Sequence, residues 1–303
     1  MIGMGSEPAF FGIPGVEENG FTLWSLEDAL KIKLHIKDIV KEASFERNKE
    51  KRKRMLTFVV AGSGFTGIEM AGELLEWKTT LAREYRVDKN EIRLLVVEAM
   101  STILNMLDRK QADKAEKYMV KHGIELLKDS PITEVTNKSI KLKNATVIPT
   151  ETLIWTCGIQ ANQDLNELEV ETGQGNPQIV EAAEQTGTTA AKNIIASIEN
   201  TQKVEFKPNY HGFMVSIGGK YGVASLMGMK LSGFFAMKER RCIMRGHLSS
   251  KGNRLWSVPL RLYIGCLWVV EGLKKLVGEG TWDSAFAAIR MVIRCNYFSF
   301  TGS

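Results

Sequence analysis

The segment Val59–Gly72 (VVAGSGFTGIEMAG) constrains the fold of this chain more than any other. The residues before its glycines, Met55–Ala61, are rich in β-branched and aromatic side chains, which is typical of a buried parallel strand. The residues after them repeat apolar side chains at helical spacing. Gly62, Gly64 and Gly67 are therefore predicted to lie at a strand–turn–helix junction, the context in which a GxGxxG sequence binds a dinucleotide.

Each glycine of this turn has a separate predicted role. Gly62 permits the tight turn, Gly64 lets the backbone approach a pyrophosphate, and Gly67 lets the helix lie close to the strand. The N–H groups of the first helical turn would then face the phosphates. The alternative is an ordinary structural turn without a ligand.

A dinucleotide site of this kind also needs an acid at the end of a second strand. The segment Glu91–Ala99 (EIRLLVVEA) supplies one, with Glu98 at its carboxyl end. A carboxylate there can accept both ribose hydroxyls of NAD and would repel the 2′-phosphate of NADP. The interval from Gly67 exceeds the usual ~20 residues because the helix is predicted to continue through Glu76–Arg86.

The remaining pattern up to residue 160 favours one α/β unit. A helix is predicted over Leu26–Ala43, capped by Ser25 with Asp28 in its first turn, and the charged run Glu46–Arg54 is predicted to be a solvated linker. A further helix spans about Asp108–His122. Short strands are expected around Ile124–Leu127, Ile132–Val135, Ser139–Leu142 and Thr152–Trp155. The fold class is thus α/β with a Rossmann-type domain.

The region after this unit differs in charge and composition. A helix is predicted over Gln178–Ile198 and a hairpin or short strands over Val204–Gly233. Thr201–Leu255 carries ten basic and two acidic residues, which favours an anionic membrane surface over nucleic acid because no nucleic-acid motif accompanies it. The alternative is a solvated basic face. Leu255–Leu276 fits an amphipathic helix in the membrane interface, with a soluble core helix as its alternative.

The side chains give little sign of metal or thiol chemistry. The chain has four cysteines, none of them in a CxxC or zinc spacing, so reduced structural thiols in a cytoplasmic protein are expected. The four histidines are scattered without ligand spacing, and no metal site is predicted.

Several segments, in this order, resemble type II NADH dehydrogenases. The resemblance rests on TFVVAGSGFTGIEMAGEL, LLVVEA, LIWTCGIQAN, PQIVEAAEQTGTTAAKNI and HGFMVSIGGKYGVASLMGMKLSGFFAMK. These are single-subunit flavoproteins that pass electrons from NADH through FAD to a membrane quinone. The segment GSEPAFFGIPGVEENGFTLWSLEDAL resembles the end of their first FAD segment, and NRLWSVPLRLYIGCLWVVEGLKKL resembles the DoxX-like segment appended to some members.

The resemblance assigns residues to an NADH site. It places Gly62, Ser63, Gly64 and Gly67 in the pyrophosphate turn, with Phe65 and Thr66 offering backbone N–H groups. Glu98 matches the ribose carboxylate, and Cys157 and Gly158 match a loop beside the nicotinamide.

The resemblance also implies a catalytic acid and a quinone site. Glu69 matches a catalytic acid near the nicotinamide and the proton path, and the alternative for it is an exposed first-turn glutamate favoured by the helix dipole. Glu181 and Gln185 match a helix that lines the quinone pocket, with the wet face of an ordinary helix as the alternative.

Compared with this family, the FAD half is expected to be incomplete. The first FAD glycine turn would precede Met1, and a Gly-Asp element would fall between Thr172 and Gly175, where only two residues stand here. The expected division is a remnant of the FAD-binding domain over 1–45 and an NAD-binding Rossmann domain over 46–160. A remnant of the second FAD segment with a quinone- and membrane-facing region would follow over 161–247, and an apolar DoxX-like segment over 248–303.

The function implied by the resemblance is transfer of electrons from NADH through FAD to quinone at the cytoplasmic face of the cell membrane. The chain would be a peripheral membrane protein, a homodimer is allowed, and its activity is expected to be impaired because FAD would be held poorly. Two alternatives stay open: an NAD(H)-binding remnant without turnover, and a disulfide reductase of the same superfamily, against which the lack of CxxC counts.

Overall fold

The computed structural model describes residues 6–161, 180–210, 212–226, 229–233 and 236–237. Its helices are α1 (Val16–Asn19), α2 (Leu26–Phe45), α3 (Lys49–Met55), α4 (Phe65–Tyr85), α5 (Arg109–Lys121) and α6 (Val180–Ile198). Its strands are β1 (Ser6–Pro8), β2 (Gly20–Thr22), β3 (Thr57–Ala61), β4 (Arg93–Val97), β5 (Ile124–Leu127), β6 (Ile132–Thr136), β7 (Ser139–Leu142), β8 (Val147–Pro149), β9 (Thr152–Trp155), β10 (Ile159–Ala161), β11 (Gly212–Ile217), β12 (Tyr221–Leu226) and β13 (Met229–Ser232).

The centre of the fold is a five-stranded parallel sheet in the order β2-β9-β3-β4-β5. Every residue of β3 is buried, as expected for a strand covered on both faces. Because all the strands are parallel, their carboxyl ends meet at one edge, and β3 has β9 on one side and β4 on the other. The predicted α/β class with a Rossmann-type sheet is confirmed.

The two faces of this sheet are covered by different layers. Phe58 and Val60 of β3 pack into a core shared with α2, α4 and α5. Val59 and Ala61, which point the other way, pack against the small antiparallel sheet β6-β7-β8. The alternation of side chains along one strand therefore builds both cores.

A further antiparallel sheet, β11-β12-β13, packs on the helix layer. The buried amide of Gln111 on α5 donates to the carbonyls of Ala224 (2.7 Å) and Leu231 (2.8 Å). On α4, a Cβ at Gly72 would lie 2.3 Å from the backbone nitrogen of Gly218, so helix and sheet meet backbone to backbone.

Most predicted elements before residue 160 are observed, and one prediction was wrong. Helix α2 begins as expected after Ser25, whose hydroxyl accepts from the Asp28 N–H while the Asp28 carboxylate accepts from the Ser25 N–H. The run Glu46–Arg54 is not a linker throughout, because most of it forms α3. Asn48 caps this helix and three basic residues complement the dipole of its last turn.

The segment before residue 45 packs on the central sheet. Strand β2 pairs in parallel with β9, and Ile36 and Val40 of α2 are buried in the same core as β3. Strand β2 is a three-residue edge strand and has little sequence signal of its own.

The later predicted segments are described only in part. Helix α6 and the strands β11 to β13 confirm the elements expected there. The join Thr172–Gly175, the segment Leu255–Leu276 and the whole of 248–303 lie outside the described residues. Within the described parts of the chain, no helix is long and apolar enough to cross a bilayer.

Candidate functional site

The glycine turn connects the end of β3 to the start of α4. Gly62 has a φ of +92°, and a Cβ there would lie 2.9 Å from the Thr156 carbonyl oxygen. A Cβ at Gly67 would lie 2.0 Å from the carbonyl oxygen of Gly62. At Gly64 a Cβ would meet nothing within 4 Å. Two glycines are therefore required by packing, whereas Gly64 borders open space.

This open space lies at a helix N-terminus suited to a negative group. Gly64 is the N-cap residue of α4, so no side chain caps the first turn, which begins with Phe65 and Thr66. The first turn also has no acidic residue. Backbone N–H groups and the helix dipole favour an anion at such a position, so the residues present fit a pyrophosphate.

Glu98 follows β4 and is tied to the glycine turn. One carboxylate oxygen accepts from the Ser63 N–H (2.8 Å) and the Ser63 hydroxyl (2.6 Å), and the other accepts from the Met100 N–H (2.9 Å). A carboxylate has about four acceptor positions, so capacity for a ribose hydroxyl remains. Ser63 therefore positions Glu98 beside the turn, a role that its sequence context did not reveal.

The loop after β9 closes the other side of the turn. The Cα of Cys157 would lie 3.1 Å from a Cβ at Gly62, and Gly158 has a φ of +145°. Burial, followed by the charge of Glu98, raises the pKa of the Cys157 thiol to about 12. Cys157 is therefore a protonated thiol at neutral pH, which is unsuited to thiolate redox chemistry.

Glu69 is buried, so the alternative of an exposed first-turn glutamate is wrong. Its side chain is only 2% exposed. One carboxylate oxygen accepts from the N–H (3.2 Å) and the hydroxyl (3.1 Å) of Ser216 on β11. Ser216 was not predicted from the sequence because the two residues are 147 positions apart.

Two further acids share this face of α4 and were also missed. Glu73 is buried, and Glu76 accepts a hydrogen bond from the Gly219 N–H. Glu73 and Glu76 follow Glu69 by one and two helical turns, so the three acids lie on one face of α4. This spacing is a signal in the sequence that the face meets another element.

The predicted quinone residues lie on α6. The side chain of Glu181 lies outside what the structure describes. The amide of Gln185 donates to the Asn209 carbonyl (2.7 Å) and accepts from the Asn209 N–H (2.9 Å). Gln185 thus fixes the segment after α6, and its contact with quinone stays a prediction.

The structure brings one group of predicted residues together. The glycine turn, Ser63, Glu98 and Cys157 meet at the carboxyl edge of the parallel sheet, where ligands of open α/β sheets bind. Glu69 lies farther along α4, against β11. This arrangement defines a dinucleotide-binding Rossmann domain.

Comparison with known proteins identifies the family. The model of the pyridine nucleotide-disulphide oxidoreductase family matches residues 1–197, and the chain belongs to that family. It is 33% identical over 202 residues to an external alternative NAD(P)H-ubiquinone oxidoreductase (B3, mitochondrial) of Arabidopsis thaliana, covering 65% of this chain and 35% of the relative. It is 32% identical over 170 residues to the type II NADH:quinone oxidoreductase of Staphylococcus haemolyticus, covering 55% and 42% of the two chains.

Solved structures show the same fold. NDH2 of Plasmodium falciparum, in complex with NADH, matches this chain with a TM-score of 0.69 at 16% identity. The match covers 81% of this chain and 73% of the NDH2 chain. The sulfide:quinone oxidoreductase of Aquifex aeolicus has a TM-score of 0.60 at 13% identity, with 80% and 66% covered. The chain spans about a third of the length of the plant relative.

Proposed function

We propose that this chain binds NADH and acts in its oxidation within a type II NADH:quinone oxidoreductase. The observation that carries the proposal is the Glu98 carboxylate, held by Ser63 beside the open helix N-terminus at Gly64. The plant relative is an NAD(P)H-ubiquinone oxidoreductase and the staphylococcal relative is an NADH:quinone oxidoreductase, which supports the same substrates.

The residues of the turn would each serve a different part of the nucleotide. The N–H groups of Phe65 and Thr66 would hold the pyrophosphate, and Glu98 would accept a ribose hydroxyl. Cys157 and Gly158 would border the nicotinamide half on the opposite side of the turn. FAD, when bound, would accept hydride from NADH and pass electrons on to quinone.

Glu69 is proposed as the catalytic acid of this reaction. Its burial and its hydrogen bonds from Ser216 would keep the carboxyl group at one place, where it could hold or release a proton. Glu181 and Gln185 are proposed to contact the quinone, since both lie on α6.

The direct test is a calorimetric titration of the purified chain with NADH and with ADP-ribose, which lacks the nicotinamide. Both should bind, because the turn and Glu98 contact the ADP-ribose part. A chain that folds cooperatively but binds neither compound would refute the proposed site.

A second measurement addresses FAD and turnover. We propose that FAD is held poorly, because the expected Gly-Asp element is absent from the short stretch between Thr172 and Gly175. The purified protein should show weak flavin absorbance and slow NADH oxidation with a soluble quinone. Stoichiometric FAD with rapid turnover would contradict this impairment while leaving the NADH site intact.

The membrane part of the proposal concerns Lys203–Leu276 and the DoxX-like segment 248–303. The basic residues of the first segment support peripheral binding at the cytoplasmic face, since each contributes about 1 kcal/mol near an anionic surface. Co-sedimentation with anionic liposomes should decrease as salt increases. Protein that stays in the supernatant at low salt would contradict peripheral membrane binding.

A homodimer is proposed as the assembly, with light scattering as its test.

A further inference from the structure

Phe11 has an unusual backbone conformation for an aromatic residue. Its φ is +53°, in the left-handed region that bulky side chains rarely adopt. The residue is 66% exposed, so burial does not offset the cost of this conformation. Strained residues of this kind are concentrated at ligand sites, where the surrounding structure holds them in place.

The loop that carries Phe11 is fixed by hydrogen bonds to the end of β9 and the residues after it. The Ala9 N–H donates to the Gly158 carbonyl (3.1 Å), and the indole N–H of Trp155 donates to the Ala9 carbonyl (2.8 Å). The Ile13 N–H closes a turn onto the Phe10 carbonyl (3.1 Å). The conformation of Phe11 is therefore imposed by contacts with β9 and its following loop.

These contacts place the ring next to the candidate site. The Cζ of Phe11 is 3.7 Å from the position of a Cβ on Gly158, and the ring centroid is 6.5 Å from that of Trp155. Gly158 follows Cys157, whose backbone contacts Gly62 of the glycine turn. An exposed aromatic ring thus lies on the β9 side of the turn.

The sheet order indicates which half of the nucleotide reaches this ring. Glu98 lies on the β4 side of β3, where it would take the adenosine ribose. The nicotinamide half must then extend to the β9 side, toward Gly158 and Phe11. Resting on the proposed NADH site, we propose that Phe11 is the aromatic contact for the nicotinamide half of NADH.

The chemistry of the ring suits this ligand. Nicotinamide is planar and presents a π-face, and aromatic side chains bind such rings by stacking or edge-to-face contact. Gly158 has no side chain that would block the approach of a planar group to the Phe11 ring. Phe11 would therefore strengthen the binding of NADH but not that of ADP-ribose, which lacks the nicotinamide.

The test compares two ligands on matched variants. Phe11→Ala keeps the Cβ, and hence the backbone cost, but removes the ring. NADH affinity should fall roughly tenfold, whereas ADP-ribose affinity should stay unchanged. Phe11→Tyr should keep the wild-type ratio of the two affinities. Phe45→Ala, which removes a 79% exposed ring at the end of α2, should change neither.

Each outcome separates this inference from the proposed function. Equal losses for NADH and ADP-ribose in Phe11→Ala would show that the loop supports the whole site, and would overturn the inference. Unchanged affinity for both would also overturn it while the NADH site stands. Wild-type protein that binds neither ligand would refute the proposed function itself and the inference with it.

Discussion

The carboxylate of Glu98 should make the site prefer NADH over NADPH. In an NADPH complex the 2′-phosphate would take the place where Glu98 receives ribose hydroxyls. Two unit charges about 4 Å apart interact with about 4 kcal/mol at an effective dielectric constant of about 20. Since Glu98 is only partly buried, solvent and salt reduce this to about 1–2 kcal/mol, or roughly fivefold to thirtyfold in affinity.

Glu98→Gln is the variant that tests this reasoning. It removes the charge with little change of shape, so the ratio of NADH to NADPH affinities should approach one. NADH affinity itself should also fall, because Ser63 and Met100 donate to both carboxylate oxygens and the amide offers only one acceptor. The ratio, rather than either affinity alone, is therefore the quantity to measure.

Two comparison variants separate charge from position. Ser63→Ala keeps the charge and removes a donor 2.6 Å from the carboxylate, so both affinities should fall and the ratio should persist. Glu134→Gln makes the same chemical change on β6, where the carboxylate pairs weakly with Lys141 at 3.7 Å, and should alter neither affinity. Calorimetry with both nucleotides at two salt concentrations measures all of these. Equal affinities in the wild type, or a ratio unchanged in Glu98→Gln, would refute the role of Glu98.

Three further predictions concern the turn, the thiol and the sheet contact. Gly64→Ala should leave the melting temperature unchanged and weaken NADH binding, whereas Gly67→Ala should destabilise the fold by more than ~2 kcal/mol because its Cβ would fall 2.0 Å from a carbonyl oxygen. Thermal melts and NADH titrations of both variants distinguish the two effects. Equal stability of the two variants would contradict the packing argument. With a pKa of about 12, Cys157 should be roughly one part in ten thousand thiolate at pH 8. Peptide-resolved alkylation should therefore modify Cys157 far more slowly in the folded protein than in the unfolded protein. Equally rapid labelling in both states would contradict the raised pKa. Gln111→Leu should cost about 2–3 kcal/mol in chemical denaturation, because the buried Ala224 carbonyl and the partly buried Leu231 carbonyl lose their donor. A neutral effect would mean that water replaces the lost amide.

Local patterns predicted most of the Rossmann domain. The strand before the glycines, the long helix after them and the cap at Ser25 depend on neighbouring residues, whose preferences the sequence displays directly. The acid at Glu98 was recognisable because the end of β4 is marked by an apolar run.

The features that could not be predicted depend on distant residues. The hydrogen bonds from Ser216 to Glu69 and from Gln111 to two strands join positions more than one hundred residues apart, and no periodic pattern reports them. The position of Phe11 was missed for the same reason, since its loop is held by Trp155 and Gly158. The helix at Lys49–Met55 was missed because its charged residues are equally common in linkers.

The direct contact between α4 and β11 at Gly72 has a consequence for dissecting this protein. A fragment ending at residue 160 would contain every residue of the glycine turn. It would, however, expose the backbone of α4 at Gly72, which β11 normally covers, and the buried carboxylates of Glu69 and Glu73. Water would reach the surface of α4 that β11 had covered, and α4 would lose its lateral support. The smallest autonomous NADH-binding fragment should therefore extend through β13, to about residue 233.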